Sequence, residues 1–248
     1  MNCAPEVIRT DIRGLPSVFR PGVVLNSALD VLFPRLCVRC GRPGAFLCST
    51  CEATAVRIEP PVCPVCGTPK ASESLCPSCA SHTKSISSIR SVFRLEGVIR
   101  RAIHELKYNN LRAIAPTLAA YLTSYVASAD YNPDLIVPVP LHSSRQRHRG
   151  YNQSELIAAA LARGTGISLD SNTLTRRRKT TSQVGSRTAH ERLLNVEGAF
   201  SCKGDMRGKH ILLVDDVCTT GATLESCAVA LRREGAVHVW GLTVAREI

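Results

Sequence analysis

Two adjacent carboxylates and a hydroxyl-rich turn occur together in residues 211–223. Four apolar residues, 211–214, predict a buried strand that ends at Asp215 and Asp216. A turn with three threonines and a glycine follows, and a helical pattern begins at Ala222. Amide N–H groups at a helix N-terminus favour a phosphate, whereas two carboxylates repel a plain anion. A sugar phosphate satisfies both demands, because its hydroxyls donate to carboxylates and its phosphates bring a divalent cation.

This segment resembles the 5-phosphoribosyl-1-diphosphate (PRPP) binding motif of type I phosphoribosyltransferases: a hydrophobic strand, two acidic residues, then Thr-Thr-Gly-x-Thr. The resemblance implies that Asp215 and Asp216 are catalytic residues that hold the ribose hydroxyls. It also implies a 5′-phosphate site made by the turn: Thr219, Thr220, Gly221, Ala222 and Thr223. The alternative, the acidic strand end of a nucleotide triphosphatase, requires a G-x-x-x-x-G-K-[ST] loop that the sequence lacks.

Eight of the 12 cysteines form four C-x-x-C pairs. The pairs are Cys37/Cys40, Cys48/Cys51, Cys63/Cys66 and Cys76/Cys79. Glycine follows the first and third pairs, which permits the positive φ of a metal knuckle. This tandem repeat predicts two four-cysteine zinc sites, each closed within its own repeat, with nested pairing between the repeats as the alternative. Because four thiolates leave no open coordination position, both sites are expected to be structural.

Disulfides are the competing explanation for these cysteines, and the composition of the N-terminus weighs against them. Residues 1–20 are polar and contain arginines, unlike a secretory signal, so we expect a cytoplasmic protein with reduced thiols. Residues 34–82 have few large apolar side chains, so bound zinc is expected to supply their stability. Of the other thiols, Cys218 lies near the phosphate turn as either a stabilised thiolate or simply a small residue that fits.

Alternating strands and helices in the remainder of the chain predict an α/β fold with a parallel sheet flanked by helices. The resemblance implies that this sheet is type I phosphoribosyltransferase-like and that a small double zinc-ribbon module precedes it. Strands are expected over 92–95, 134–139, 210–214 and 237–245, and helices over 97–106, 111–127, 153–164 and 222–235, with Asn152 as an N-cap. The predicted divisions are a tail with an amphipathic helix at 1–33, the zinc module at 34–82, a linker at 83–90 and the sheet domain at 91–248. With no run of 18 apolar residues, no membrane span is expected.

The chain carries a net charge of +11, and most of its 31 basic residues are arginine. Arginine forms bidentate pairs with phosphates, so this excess favours phosphorylated ligands or nucleic acid. Two clusters, 145–149 and 176–179, lie in the predicted sheet domain. Such runs are usually solvated faces.

Further motifs extend the resemblance to the ComF family, which joins an N-terminal cysteine zinc module to a phosphoribosyltransferase-like domain. The motifs are His104-Glu-Leu-Lys-Tyr108, Val137-Pro-Val-Pro-Leu141, Arg145, Arg149-Gly-Tyr-Asn-Gln153, Thr181, Gln183, Arg192, Asn195 and Phe200. The resemblance implies a bacterial protein of DNA uptake in natural transformation that binds PRPP with Mg²⁺. It places a pyrophosphate loop at 141–147, with Arg145 and Arg149 as diphosphate contacts and Arg178 and Lys179 on a lid.

Two hypotheses of different class follow. In the first, the chain is a PRPP-dependent transferase whose acceptor the sequence does not specify. In the second, it is a non-catalytic protein that binds single-stranded DNA or a partner, such as a DNA-uptake helicase on the zinc module, and keeps a relic PRPP pocket. Only five Tyr, five Phe and one Trp are present, so single-strand binding would be mainly electrostatic.

Overall fold

Strands and helices alternate along residues 34–81, 83–177 and 198–248, the part of the chain that this computed structural model describes. The strands are β1 (Ser88–Arg94), β2 (Leu135–Pro138), β3 (Ser168–Leu169), β4 (Leu174–Arg176), β5 (Phe200–Cys202), β6 (His210–Cys218) and β7 (His238–Arg246). The helices are α1 (Ser49–Glu52), α2 (Pro77–Ala80), α3 (Gly97–Tyr108), α4 (Ala115–Ser128), α5 (Ser143–Arg149), α6 (Gln153–Thr165) and α7 (Ala222–Arg233). The expected helix within 1–33 and the lid residues Arg178 and Lys179 lie outside these described ranges.

A five-stranded parallel sheet forms the centre of the fold, in the order β1-β7-β6-β2-β3. Strands β4 and β5 form a separate antiparallel pair. The longest strands, β6 and β7, pair from His210↔His238 to Cys218↔Arg246. Because parallel strands carry their ligand sites at their carboxyl ends, the end of β6 is where a site is expected. The predicted parallel α/β sheet is confirmed.

Helices cover both faces of the sheet. On one face α3, α4 and α6 pack with alternate residues of β6, among them Leu212 and Val214. On the other face α7 packs with the intervening residues Ile211 and Leu213. All four of these β6 side chains are fully buried, which explains why the strand reads as a continuous apolar run rather than an alternating one.

Two strand boundaries differ from the sequence-based expectation. Strand β1 begins at Ser88, inside the stretch expected to be linker at 83–90, because its ladder with β7 already starts at Ser88↔Trp240. Strand β6 continues past Val214 to Cys218, since β7 supplies pairing partners over that length. The two acidic residues consequently lie within the strand rather than after it.

The cysteine-rich segment joins the sheet at its β1 edge, and both belong to one compact unit, Leu36–Ile248. Ile58 N donates to Val92 O at 2.9 Å, where the segment after the first cysteine tetrad pairs antiparallel with β1. Ile89 N donates to Val65 O at 2.7 Å, which attaches the second tetrad to the same strand. The backbone groups of an exposed edge strand are thus satisfied by the zinc module.

None of the helices in the described ranges is long and apolar enough to cross a bilayer.

Candidate functional site

The two acidic residues of β6 are held by different helices. Asp216 is 3% exposed, and its Oδ1 lies 3.0 Å from Nζ of Lys107 at the end of α3. Asp215 accepts a 2.6 Å hydrogen bond from Ser154 Oγ in the first turn of α6. The Asp215 Oδ1 atom also accepts the Asp216 amide at 2.9 Å. Both carboxylates are therefore oriented before any ligand arrives.

The Asp216 carboxylate retains one unused acceptor. Its Oδ2 atom is buried and has no hydrogen-bond partner among the described residues. A buried unpaired carboxylate oxygen costs free energy unless a donor or a cation completes it. A ligand hydroxyl, or a divalent cation with its water shell, fits that position.

The pKa of Asp215 is raised to about 7. Burial is the main cause, and the neighbouring Asp216 charge adds to it. The Ser154 hydrogen bond and the Lys107 charge lower the pKa and offset part of this rise. A carboxyl whose pKa is raised by burial and by a neighbouring carboxylate is typical of a functional site.

The predicted phosphate turn lies between β6 and α7. Gly221 is the N-cap of α7 with φ of 81°, and the helix starts at Ala222, as the sequence predicts. Thr219 and Thr220 are exposed, and Thr220 Oγ1 accepts the Ala222 amide at 3.4 Å. Thr223 follows in the first helical turn. The turn thus presents hydroxyls and N–H groups at the positive end of a 12-residue helix, which favours a phosphate.

The prediction of a loop at 141–147 is wrong, because residues 143–147 belong to helix α5. His142 caps its start by accepting the Ser144 amide at 3.2 Å, and Gly150 ends it in the left-handed region with φ of 80°. These caps stabilise a short helix whose arginines and polar residues have no apolar periodicity. Arg145 is therefore presented from a helix rather than from an open loop.

Arg145 lies within electrostatic range of Arg176, at the end of β4. Burial lowers the pKa of Arg176, and the like charge of Arg145 lowers it further. The charge of Asp215 acts in the opposite direction and offsets part of this lowering. Two like charges that perturb one another are stabilised by an anion that contacts both.

Arg149 has a different environment from Arg145. It donates to Gln153 Oε1, and its guanidinium lies 5.4 Å from the centre of the Tyr108 ring. Tyr108 directly follows Lys107, so these contacts join the start of α6 to the end of α3. Asn152 caps α6, as predicted, and donates to Val139 O at 3.0 Å. Arg149 is thus part of the framework around the carboxylates.

The eight cysteines form two tetrads, each within one repeat, which confirms sequential rather than nested pairing. The Sγ atoms of each tetrad lie within 4.8 Å of one another. The Sγ–Sγ distance is 3.6 Å both between Cys40 and Cys48 and between Cys66 and Cys76. Tetrahedral zinc with Zn–S of about 2.3 Å requires sulfurs about 3.8 Å apart, so the thiols fit the metal.

Each tetrad begins with a zinc knuckle. Gly41 N donates to Cys37 O at 2.8 Å, and Gly67 N donates to Cys63 O at 2.9 Å. Burial alone would raise the pKa of Cys37, but hydrogen bonds from backbone amides lower it to about 6. The same balance lowers the pKa of Cys63 to about 6. The knuckle amides therefore favour the thiolate form that zinc requires.

Of the two alternatives for Cys218, a stabilised thiolate or a small residue that fits the fold, the structure supports the second. It is 2% exposed, and burial raises its pKa to about 11 although the Arg246 charge opposes the shift. The idea of a thiolate stabilised by the helix N-terminus is therefore wrong. Its side chain instead packs in the apolar layer between the sheet and α7.

Three residues of the site were not assigned a role from the sequence: Lys107, Ser154 and Arg246. Lys107 lies in one of the motifs that resemble the ComF family, and Ser154 follows the predicted N-cap, so both had a local signal. Arg246 is the only charged residue after His238 in an apolar strand, yet it is 3% exposed. A charged residue ending an apolar strand would have been the clue to its buried role.

Two protein families match this architecture. The double zinc ribbon domain matches residues 28–80 and the phosphoribosyl transferase domain matches residues 106–245. The fold and the site thus define a phosphoribosyltransferase-type α/β domain that carries a double zinc ribbon at its N-terminal side.

Curated relatives match between 58% and 84% of this chain in sequence. The DNA utilization protein YhgH of Salmonella typhimurium is 38% identical over 221 residues, which span 84% of this chain and 96% of that protein. Competence protein F of Haemophilus influenzae is 37% identical over 153 residues, 58% of this chain and 66% of that protein. Competence protein ComFC of Bacillus subtilis is 29% identical over 220 residues, 83% and 86% of the two chains. The chain belongs to the ComF family.

Proposed function

We propose that the chain binds PRPP together with Mg²⁺ at the carboxyl end of β6 and acts as a phosphoribosyltransferase in the use or uptake of DNA. The relatives named for DNA utilization and competence support the biological setting. The observation that carries the chemistry is Asp216, a buried carboxylate with Oδ1 paired to Lys107 and Oδ2 without a partner among the described residues.

The ribose of PRPP matches the two carboxylates. Its vicinal hydroxyls are donors, and Asp215 and Asp216 offer adjacent acceptors oriented by Ser154 and Lys107. A plain anion would be repelled at this position, whereas hydroxyls would complete the unused Oδ2. The 5′-phosphate would then bind the turn at residues 219–223, where N–H groups and hydroxyls lie at the N-terminus of α7.

The diphosphate of PRPP matches the positive charge of Arg145 and Arg176. Arg145 and Arg176 lie close enough to perturb one another, and a polyanion would relieve that repulsion. The Asp215 and Asp216 carboxylates are the residues that would hold Mg²⁺, which neutralises diphosphate charge when it is bound. In a transfer reaction these carboxylates would also stabilise the positive charge that develops on the ribose ring as the diphosphate leaves.

The proposal does not specify the acceptor of the phosphoribosyl group. The described residues include no pocket that we assign to a base or other acceptor, so PRPP binding and phosphoribosyl transfer are tested separately. Binding is tested by calorimetric titration of Mg²⁺-PRPP into the zinc-replete protein. We expect micromolar affinity, competition by ribose 5-phosphate, and loss of binding in Asp215→Asn/Asp216→Asn.

The matched control for that titration is Asp205→Asn. Asp205 is an exposed carboxylate paired with Arg207 at 2.7 Å, so its replacement should leave the heat of binding unchanged. Absence of heat with the wild-type protein would overturn the proposal of PRPP binding. Where binding is found, pyrophosphate release with candidate bases and oligonucleotides then decides whether the site catalyses transfer.

A second candidate function, single-stranded DNA binding, is favoured by helix α5. Its last turn carries Arg147, His148 and Arg149, and none of its residues is buried. Contacts to DNA phosphates predict an affinity that falls with salt, by a log–log slope of roughly −0.7 per phosphate neutralised. Arg147→Gln should reduce that slope, and an affinity that does not change with salt would contradict this function. Cytoplasmic location and a helicase partner on the zinc module remain predictions.

A further inference from the structure

We propose that Arg246 is a positioning residue that connects the second zinc ribbon to the phosphate turn, so that zinc in the Cys63/Cys66/Cys76/Cys79 site supports ligand binding at the carboxyl end of β6. This inference rests on the proposed function for its ligand. Its structural core is a set of contacts between two sites that lie far apart in the sequence.

Arg246 ends β7 and connects the two sites directly. One of its terminal nitrogens donates to Thr219 O at 3.2 Å, in the phosphate turn. The other donates to the carbonyl of Cys66, a ligand of the second tetrad. The residue is 3% exposed, so the guanidinium is withdrawn from water and depends on these carbonyls. Moving either the knuckle or the turn would leave a buried charge with fewer acceptors.

A second connection passes through Ile89 of β1, whose backbone carbonyl lies against Gly67 and whose side chain lies against Gly221. A Cβ added to Gly67, in the second knuckle, would lie 2.3 Å from Ile89 O. A Cβ added to Gly221, in the phosphate turn, would lie 2.8 Å from Ile89 Cδ1. Ile89 is 2% exposed and therefore packs between the knuckle glycine and the turn glycine. Gly67 therefore cannot approach the turn without displacing the β1 backbone, and Gly221 cannot approach the knuckle without displacing the Ile89 side chain.

A third connection anchors the start of α7. Glu225, in the first turn of the helix, accepts the Ser85 amide at 2.7 Å and the Ile86 amide at 3.3 Å. These amides belong to the segment that leads from the second tetrad into β1. A cavity of about 200 Å³ separates the knuckle from the turn, and both Cys66 and Thr219 line it. The segment after the second tetrad thus contacts the start of the helix that follows the turn, while Thr219 and Thr220 remain exposed.

The first tetrad provides an internal contrast. Its cysteines Cys37, Cys48 and Cys51 pack in the apolar layer on the α3, α4 and α6 side of the sheet. Gly41, at the knuckle position that corresponds to Gly67, has nothing within 4 Å of an added Cβ. The phosphate turn is therefore expected to respond to zinc in the second tetrad and not to zinc in the first.

Coupling between two sites is reciprocal, so a ligand on the turn should also stabilise zinc in the second tetrad. The test compares wild type with Arg246→Met, and it uses Arg94→Met as the matched control. Arg94 pairs with Arg246 across the β1–β7 ladder but is exposed. Arg246→Lys is a second variant, because it keeps the charge but lacks the planar fork that reaches the two carbonyls through separate nitrogens.

Three measurements are made on each full-length, zinc-loaded protein. Amide hydrogen exchange of peptides covering 62–68 and 217–224 needs no ligand. Zinc release to a chromogenic chelator is followed with and without Mg²⁺-PRPP. We expect Arg246→Met to speed exchange in both peptides and to speed the release of one of the two zinc ions by about tenfold, whereas Arg94→Met matches wild type.

The reciprocal effect distinguishes positioning from general stability. Mg²⁺-PRPP should slow the release of one zinc ion in wild type and in Arg94→Met but not in Arg246→Met, and Arg246→Lys should recover part of the slowing. Unchanged exchange in both peptides of Arg246→Met and Arg246→Lys would overturn the inference, whatever the outcome with PRPP. If wild type binds no PRPP, the proposed function fails while the exchange and ligand-free zinc-release results still decide the coupling.

Discussion

Ser154 Oγ donates to Asp215 Oδ1 across 2.6 Å, and this bond links the first turn of α6 to the end of the central strand. The bond is one of the effects that hold the Asp215 pKa down against burial and the Asp216 charge. A serine that belongs to a helix N-terminus thus controls how much of the carboxylate is ionised at neutral pH.

Ser154→Ala should weaken Mg²⁺-PRPP binding in a pH-dependent way. Without the hydroxyl, the pKa of Asp215 rises further above its ordinary value, so less carboxylate is available at neutral pH. We expect about a tenfold loss of affinity near pH 7, in line with the loss of a hydrogen bond to a charged group, and a smaller loss in alkaline buffer. Calorimetry at both pH values measures it. Ser124→Ala, whose hydroxyl donates to Ala120 O at 3.1 Å in α4, is the control; equal losses at both pH values would contradict the role of ionisation.

Binding of Mg²⁺-PRPP should release protons near neutral pH. The pKa of Asp215 is about 7, so part of the population is protonated there, and ligand hydroxyls or a cation favour the ionised form. Affinity should therefore rise as pH increases through about 7 and level off above it. Calorimetry in two buffers of different ionisation enthalpy measures the released protons. Asp205→Asn should leave that number unchanged, because the Arg207 side chain already holds the pKa of Asp205 to about 2.

The raised pKa of Asp215 also makes the free energy of unfolding depend on pH. The direction is opposite to that of a carboxylate whose pKa is lowered by an ion pair. The native pKa of Asp215 exceeds its ordinary value of 3.8, so the folded chain binds the proton more tightly than the unfolded chain. The contribution of Asp215 to the free energy of unfolding therefore falls as pH rises from about 4 to about 7 and is constant outside that window. Asp215→Asn should remove this slope, which urea unfolding across the range can detect.

Lys107→Met should destabilise the ligand-free protein. The change leaves the buried Asp216 carboxylate without its 3.0 Å partner, and an unpaired buried charge costs at least about 1–3 kcal/mol. Arg101→Met is the matched control on the same helix, because Arg101 pairs with Glu105 at 2.8 Å but is 60% exposed. Such an exposed pair contributes about 0.5 kcal/mol or less. Urea unfolding of both variants compares them, and equal losses would show that the Lys107 pair is not desolvated.

Gly67→Ala and Gly41→Ala should differ although both glycines have nearly the same φ, 72° and 73°. Each alanine suffers the left-handed backbone penalty of about 1–2 kcal/mol. Only the Gly67 substitution also drives a Cβ to 2.3 Å from Ile89 O, so it should separate the second knuckle from β1. Thermal unfolding should show a clearly lower Tm for Gly67→Ala than for Gly41→Ala, and equal Tm values would contradict the close packing on β1.

Local features of the fold were predictable because their determinants are contiguous. The C-x-x-C spacing and the glycines after the first and third pairs suffice to specify two knuckles, and the tetrads form as expected. The run His210–Asp216 followed by the threonine turn specifies strand, turn and helix, and α7 begins at the expected residue. Helix α5 was missed because its stability comes from the His142 cap and the Gly150 end rather than from an apolar face.

The residues that contact Asp215 and Asp216 could not be predicted from the neighbouring sequence. Lys107 and Asp216 are more than a hundred positions apart, and only the packing of α3 against the sheet brings them to 3.0 Å. The same holds for Arg246, which reaches the Cys66 carbonyl through the β1–β7–β6 strand order. The sequence by itself determined the two cysteine tetrads and pointed to the carboxylates and the turn that we propose bind a sugar phosphate, since residue type and short spacing set that chemistry. Only the tertiary structure decided which lysine, serine and arginine complete the site, because long-range strand pairing and helix packing set those distances.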